Sequence, residues 1–199
     1  MAKSGGGLIM NCAAIKQKLS AAGAEAVIET EYARKGFALD VQVAPEQLVA
    51  AVSVLDAEGF FIEAVTGVDW LGEQAALRKE AEAKAAAEAK AKAEAAAAAG
   101  EETPSAAPPV EQGELSEDVL EAVYDFNHYE GLCRVTIRTR VPRSKPEIPS
   151  IVQIYPGANW HERETHDFFG IIFAGHPYLV PLLLPEDADY HPLLKDFRP

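Results

Sequence analysis

Val119-Leu120-Glu121-Ala122-Val123-Tyr124-Asp125-Phe126-Asn127 and Leu132-Cys133-Arg134-Val135-Thr136-Ile137-Arg138-Thr139-Arg140-Val141 flank a turn at Glu130-Gly131. Both runs are rich in β-branched and aromatic residues, and their spacing predicts a β-hairpin. Upstream, 26–33 and 37–43 alternate apolar with polar residues around a turn at Gly36, the period of half-buried strands. Residues 60–70 read as a further strand. Two helices precede that strand. The first covers 11–22, with Asn11 as its cap, Ile15 and Leu19 on one face and Gly23 as its stop. The second opens at Pro45, carries Leu48, Val52 and Leu55 as its stripe and ends before Gly59. These elements predict an α+β fold: a mixed, mainly antiparallel sheet with helices on one face, followed by an extended carboxy-terminal arm.

Between the strand groups the character changes. Residues 75–99 are mostly alanine with Glu and Lys, a helix-favouring composition with almost no large side chain to bury, and 100–114 are Pro-rich and acidic. The expected organisation is a flexible tail at 1–10 and one α+β domain at 11–172, interrupted by an insertion at 71–118. A partner-binding arm at 173–199 completes it. After the hairpin, Pro142, Pro146 and Pro149 predict a loop, and 150–155 a single helical turn.

Charge and cysteine usage narrow the function. With 31 acidic against 18 basic residues the net charge is -13, which repels nucleic-acid backbones and anionic lipid alike. A basic partner would have to be another protein. The two cysteines, Cys12 and Cys133, could form one disulfide, but two reduced thiols are the expectation, and two thiols cannot ligate an ordinary iron–sulfur cluster. No apolar run approaches the ~20 residues that span a bilayer. The first ten residues lack a secretory core, so a soluble, intracellular chain is expected.

The most informative helix spans Asn159 to Phe169, with Gly170 as its stop. Asn159 followed three residues later by Glu162 resembles a capping box. His161, Glu162 and His166 suggest a zinc-protease pair, but the histidines are five apart where that motif needs four. Arg163 and Asp167 are spaced for an ion pair, as are Glu162 and His166. Glu162 and Glu164 point to different faces, which argues against an acid–base partnership. His128, His176 and His191 stand apart in sequence, and a structural imidazole is expected at Gly175-His176-Pro177.

The run Glu162-Arg163-Glu164-Thr165-His166-Asp167-Phe168-Phe169-Gly170-Ile171-Ile172-Phe173-Ala174-Gly175-His176-Pro177 closely resembles the signature of the 30 kDa subunit of respiratory complex I. The similarity continues through Leu182-Leu183-Leu184-Pro185-Glu186-Asp187 and His191-Pro192-Leu193-Leu194-Lys195-Asp196-Phe197. It also touches Ile148-Pro149-Ser150, Ala158-Asn159-Trp160 and Val65-Thr66-Gly67-Val68-Asp69-Trp70. The chain departs from the family at Val180, Pro181 and Leu194, where arginines are usual, and at Ala188 and Tyr190, where Trp and Gly are usual.

The resemblance implies a cofactor-free accessory subunit of a membrane-bound NADH-quinone oxidoreductase, peripheral on the cytoplasmic face. It would dock on the large, 49 kDa-type subunit beside iron–sulfur subunits, supporting electron transfer coupled to proton translocation. The alternative is the homologous subunit of a membrane-bound [NiFe] hydrogenase or formate hydrogenlyase-type complex, docking on the hydrogenase-type large subunit. A free-standing metal-dependent hydrolase using His161, Glu162 and His166 is the remaining class. No catalytic, cofactor or metal ligand is expected in the chain itself. Partner binding is expected from Glu162, Arg163, Glu164 and Asp167 on the helix, and from Gly170, Phe173, Gly175, His176 and Pro177 after it. Along the arm the same role falls to Leu182, Leu183, Pro185, His191, Pro192, Leu193, Lys195 and Asp196.

Overall fold

The computed structural model describes residues 12–72, 76, 79 and 118–198. The expectations for the tail, for Asn11 as a cap and for nearly all of 75–114 lie outside those residues. The chain divides into two compact units, residues 1–69 with 119–199, and residues 70–118. In the second unit, Gly72 N donates to Asp118 Oδ1 at 3.0 Å.

The first unit holds, among the described residues, a five-stranded sheet in the order β1-β2-β5-β4-β3. Its strands are β1 (Ala26–Glu29), β2 (Leu39–Val43), β3 (Phe61–Asp69), β4 (Val119–His128) and β5 (Cys133–Pro142). The β2–β5 seam is parallel and the other three pairings are antiparallel. The predicted hairpin is β4–β5, in register from Val119 opposite Pro142 to His128 opposite Cys133. Helix α1 (Cys12–Ala21) buries Ile15 and Leu19, and α3 (Pro45–Ala57) buries Leu48, Ala51, Val52 and Leu55. They cover the sheet face formed by Leu39, Val41, Tyr124, Phe126, Val135 and Ile137, all fully buried. At about 1.5–3 kcal/mol for each large side chain removed from water, this face supplies the main driving force for folding. The other face is polar. Arg138 bridges Asp40 at 2.8 Å and Glu121 at 3.3 Å, and Arg140 holds the second oxygen of Glu121 at 2.8 Å.

Two segments depart from the sequence reading. Tyr32–Lys35, which takes in the last two residues of the expected 26–33 strand and the approach to the Gly36 turn, forms a helical turn, α2, that closes when Gly36 (φ 82°) donates its N–H to Tyr32 O. The left-handed conformation Gly36 tolerates makes that closure easy. The proline loop contains β6 (Glu147–Pro149), which pairs in parallel with β7 (Ile172–Ala174). Each strand is only three residues long, too short for any alternation to register, and Pro149 is tolerated because this small sheet has no interior strand.

Helix α4 (Ala158–Phe169) lies over β3 on the core face: Thr165 Oγ1 donates to Val65 O, and Phe169 sits against Gly67. A Cβ at Gly67 would come within 2.4 Å of the Phe169 ring. We expect Gly67→Ala to lower stability by about 1–3 kcal/mol through overpacking, measured by urea unfolding with an unchanged m-value. In the Phe169→Ala background the same change should cost almost nothing. An equal cost in both backgrounds would show that the ring is not what forbids a side chain there.

Candidate functional site

Helix α4 and the arm that follows it form one polar assembly. The helix begins at Ala158 with Gly157 in the cap position, not Asn159, because the turn from Ile151 to Tyr155 runs almost directly into it. Glu162 therefore lies in its second turn and forms no capping box. It is fully buried, accepting Ile151 N–H at 2.8 Å and Ser150 Oγ–H at 2.6 Å. Burial pushes its carboxyl up to about 7, against the lowering effect of those two donors. The expected pair with His166 does not form; His166 Nδ1 engages Ile171 O at 2.8 Å.

The expected Arg163–Asp167 ion pair is also replaced. Both side chains turn to the arm. Arg163 donates from Nε to Val180 O at 3.0 Å and from its terminal nitrogen to Pro181 O at 2.9 Å. Its guanidinium lies 5.4 Å from the ring centroids of both Trp160 and Tyr178, close enough for cation–π attraction. Asp167 Oδ2 accepts the N–H groups of Leu182, Leu183 and Leu184 at 2.8, 2.7 and 3.2 Å. Burial acts to raise the Asp167 carboxyl, but the three N–H donors and then the charge of His166 outweigh it and hold the group below the usual range. Spacing correctly put the two residues on one face. What spacing could not supply was the passing backbone, which offers carbonyls to one and amides to the other.

Further along, Leu193 N–H donates to Phe168 O at 3.1 Å and His191 Nδ1 engages Asp167 O at 2.8 Å. Gly170 ends α4 at φ 73°, and a Cβ there would lie 2.7 Å from the His191 ring. His176 accepts Tyr178 N–H at Nδ1, so Nε2 carries the proton and faces Asn159 O at 3.3 Å. Burial first, then the charges of Arg163 and His166, hold that imidazole low and neutral, against the Asn159 carbonyl. Phe173 is in the core, while Gly175, Pro177, Pro185 and Lys195 are exposed and Glu164, Leu182 and Pro192 half-buried.

A second tie lay outside the sequence reading. Arg143 makes a two-pronged contact with the buried Asp69 at 3.0 and 2.9 Å and reaches Asp196 at 2.7 Å. Asp69 also accepts Lys195 N–H at 2.8 Å. Asp69 stood in the Val65–Trp70 similarity, but nothing linked it to Arg143 in the proline loop or to a segment over a hundred residues away.

Chemically, the assembly binds backbone. Glu162, His166 and Asp167 are spent on protein groups, and among the described residues no cluster of three or more His, Cys, Asp or Glu could hold a metal. The cleft under the arm, lined by His166, Asp167, Pro181, Leu184 and His191 among others, encloses about 40 Å³, enough for a water molecule and far below a cofactor site.

A family model described as respiratory-chain NADH dehydrogenase, 30 Kd subunit, matches residues 41–199. Similar sequences include the C-type subunit of NADH-quinone oxidoreductase from Roseiflexus sp. (strain RS-1), 47% identical over 77 residues, 39% of this chain and 44% of the relative. The protein of that name from Mycobacterium avium (strain 104) is 49% identical over 78 residues, 39% of this chain and 33% of the relative. The C-type subunit of F(420)H(2) dehydrogenase from Methanosarcina mazei is 47% identical over 82 residues, 41% of this chain and 52% of the relative. The matching stretch thus spans about half or less of these relatives. Two solved structures share the fold at 22% identity. The trypsin-resistant fragment of Nqo5 has TM-score 0.53, covering 84% of this chain and 98% of that one. The archaeal membrane-bound sulfane sulfur reductase has a chain with TM-score 0.61, covering 94% and 85%.

Two measurements probe the assembly. Because the folded Glu162 carboxyl titrates above its unfolded value of ~4.3, its stabilising effect is full below that value and is lost as pH rises through about 7. Glu162→Gln should therefore flatten the fall in stability between about pH 4.5 and 7, a difference on the order of a few kcal/mol; parallel profiles would refute the assignment. Asp167 is the opposite case. Its contribution is present above the unfolded ~3.9 and disappears as pH falls through the lower folded value. Asp167→Asn should cost about 1–3 kcal/mol and sharply raise hydrogen exchange at the Leu182, Leu183 and Leu184 amides. Unchanged protection there would mean that the carboxylate does not hold the arm.

Proposed function

Since the chain belongs to the respiratory-chain NADH dehydrogenase 30 kDa subunit family, we propose that it is a cofactor-free accessory subunit of a membrane-bound NADH-quinone oxidoreductase. In this reading it docks on the large quinone-site subunit, beside iron–sulfur subunits, and holds that surface in the arrangement that supports electron transfer coupled to proton translocation. It sits peripherally at the cytoplasmic face; no described helix is long and apolar enough to cross a membrane.

The observation that carries the proposal is the clasped arm. Its peptide groups at 180–184 are taken up by Arg163 and Asp167, which fixes the backbone there while several of its side chains stand in solvent. Tyr178 and Leu183 stand 63% and 59% exposed, Leu193 is 52% exposed, and Trp160 on α4 adds an indole at 62%. Exposed apolar and aromatic side chains on a preorganised backbone suit a partner surface, because little backbone ordering entropy remains to be lost on docking. Relatives named for NADH and for F(420)H(2) match at the same 47% identity. The donor is accordingly read elsewhere in the complex, and this subunit recognises the shared large-subunit surface.

Arg163→Ala tests this reading. Losing the guanidinium releases two carbonyls and its contacts with the Trp160 and Tyr178 rings, so the domain should stay folded while the arm loosens. The expected result is a several-fold drop in co-purification with the large subunit, with normal electron transfer per assembled complex. Normal assembly with a collapse in activity per complex would overturn the scaffold role and place α4 in the chemistry.

A further inference from the structure

Cys12 opens helix α1 and Cys133 opens strand β5, separated by 121 positions in the chain. The fold brings their sulfurs to 3.1 Å, about 1 Å from the length of a disulfide bond. Both are free thiols. Cys133 is 1% exposed, at the floor of the contact, whereas Cys12 is half-buried at its rim. The pair lies away from the arm, and Cys12 precedes the residues matched by the family model, which begin at 41. Ile15 and Leu19 anchor α1 in the core, and ion pairs of exposed or half-buried side chains, Lys16 with Glu29 and Lys18 with Glu58, add to that hold.

We propose that Cys12 and Cys133 form a modification site, a dithiol that low-molecular-weight disulfides oxidise to an intramolecular clamp between α1 and the sheet.

The two thiols have different roles. Burial first, and then Cys12 beside it, pushes the Cys133 thiol up to about 12, so it stays protonated and shielded. Attack falls to Cys12, the thiol that solvent reaches. As its thiolate, Cys12 displaces one half of a disulfide RSSR, forming Cys12–S–SR and releasing RS⁻. The Cys133 sulfur then attacks the Cys12 sulfur; the new S–S bond forms, the second RS⁻ leaves, and the proton of Cys133 passes to it. In sum, the protein loses two electrons and two protons, and RSSR becomes two RSH. The second step depends on proximity, since a buried thiol of this kind is a poor nucleophile toward anything in solution but already touches its target. The clamp closes a loop that includes β1 through β4 and all of 70–118, which restricts the unfolded chain strongly.

The test uses the purified full chain in buffers of increasing oxidised-to-reduced glutathione ratio, quenched in acid and alkylated after unfolding. The expected product is a monomer that has lost two hydrogens, carries no glutathione and yields a linked Cys12–Cys133 peptide. Its thermal midpoint should rise by about 5 °C or more over the reduced form. Cys133→Ser and Cys133→Ala should instead accumulate a stable glutathione adduct on Cys12, and Cys12→Ser should stay unmodified at Cys133 in the native state. Wild type that retains two alkylatable thiols at the oxidising end overturns the proposal. So does a persistent glutathione adduct on wild-type Cys12, a dimer linked through Cys12, or a cystine that leaves the midpoint unmoved.

Discussion

An arginine and an aspartate one turn apart on α4 hold opposite polarities of the same strand of backbone. Arg163 takes the carbonyls of Val180 and Pro181, and Asp167 takes the amides of Leu182, Leu183 and Leu184. Instead of pairing with each other, the two charges are each solvated by peptide dipoles pointing the right way. A charge withdrawn from water but surrounded by several oriented dipoles avoids the desolvation penalty that leaves many buried ion pairs near zero net worth. The path of the arm follows from it. Gly170 must turn left-handed to send the chain back, His191 must fill the space where a Cβ would stand, and Arg143 must close the end onto Asp69 and Asp196.

This reliance on backbone also explains why the substitutions at Val180 and Pro181 leave the arm in place. Their carbonyls are bound, whatever their side chains. Leu194, another departure, packs against the core cluster as a partly buried apolar residue, which an arginine could do only along its aliphatic stem. The family's usual charges are therefore absent from positions where this chain needs a peptide group or a hydrocarbon.

Much of the fold was legible because it is written in period. The β4–β5 hairpin, β3 and α3 each run nine residues or more, long enough for alternation or a helical stripe to show. The three-residue strands β6 and β7 and the α2 turn are fixed by partners distant in sequence or by one glycine, and periodicity carries no trace of either. The site divides the same way. Residue types and spacing placed Arg163 and Asp167 on one helical face, and the family signature marked the arm. Glu162 looked like a surface or capping acid because its donors, Ser150 and Ile151, lie in a preceding turn that sequence does not bring near it. Asp69 and Arg143 met only through the closure of the sheet.

The strand order has a further meaning when the chain is considered during its synthesis. β2 and β3, joined by α3, are not neighbours: β5 and β4 lie between them. A nascent chain that has emerged only as far as β3 can pair β1 with β2 and then stops, with one edge of β2 and the whole of β3 unmatched. Those edges stay open to other chains until residues 119–142 have left the ribosome and the β4–β5 hairpin takes its place between them. The segment at 70–118 sets the length of that exposed interval, so its extent is a clock on translation as well as a stretch of protein.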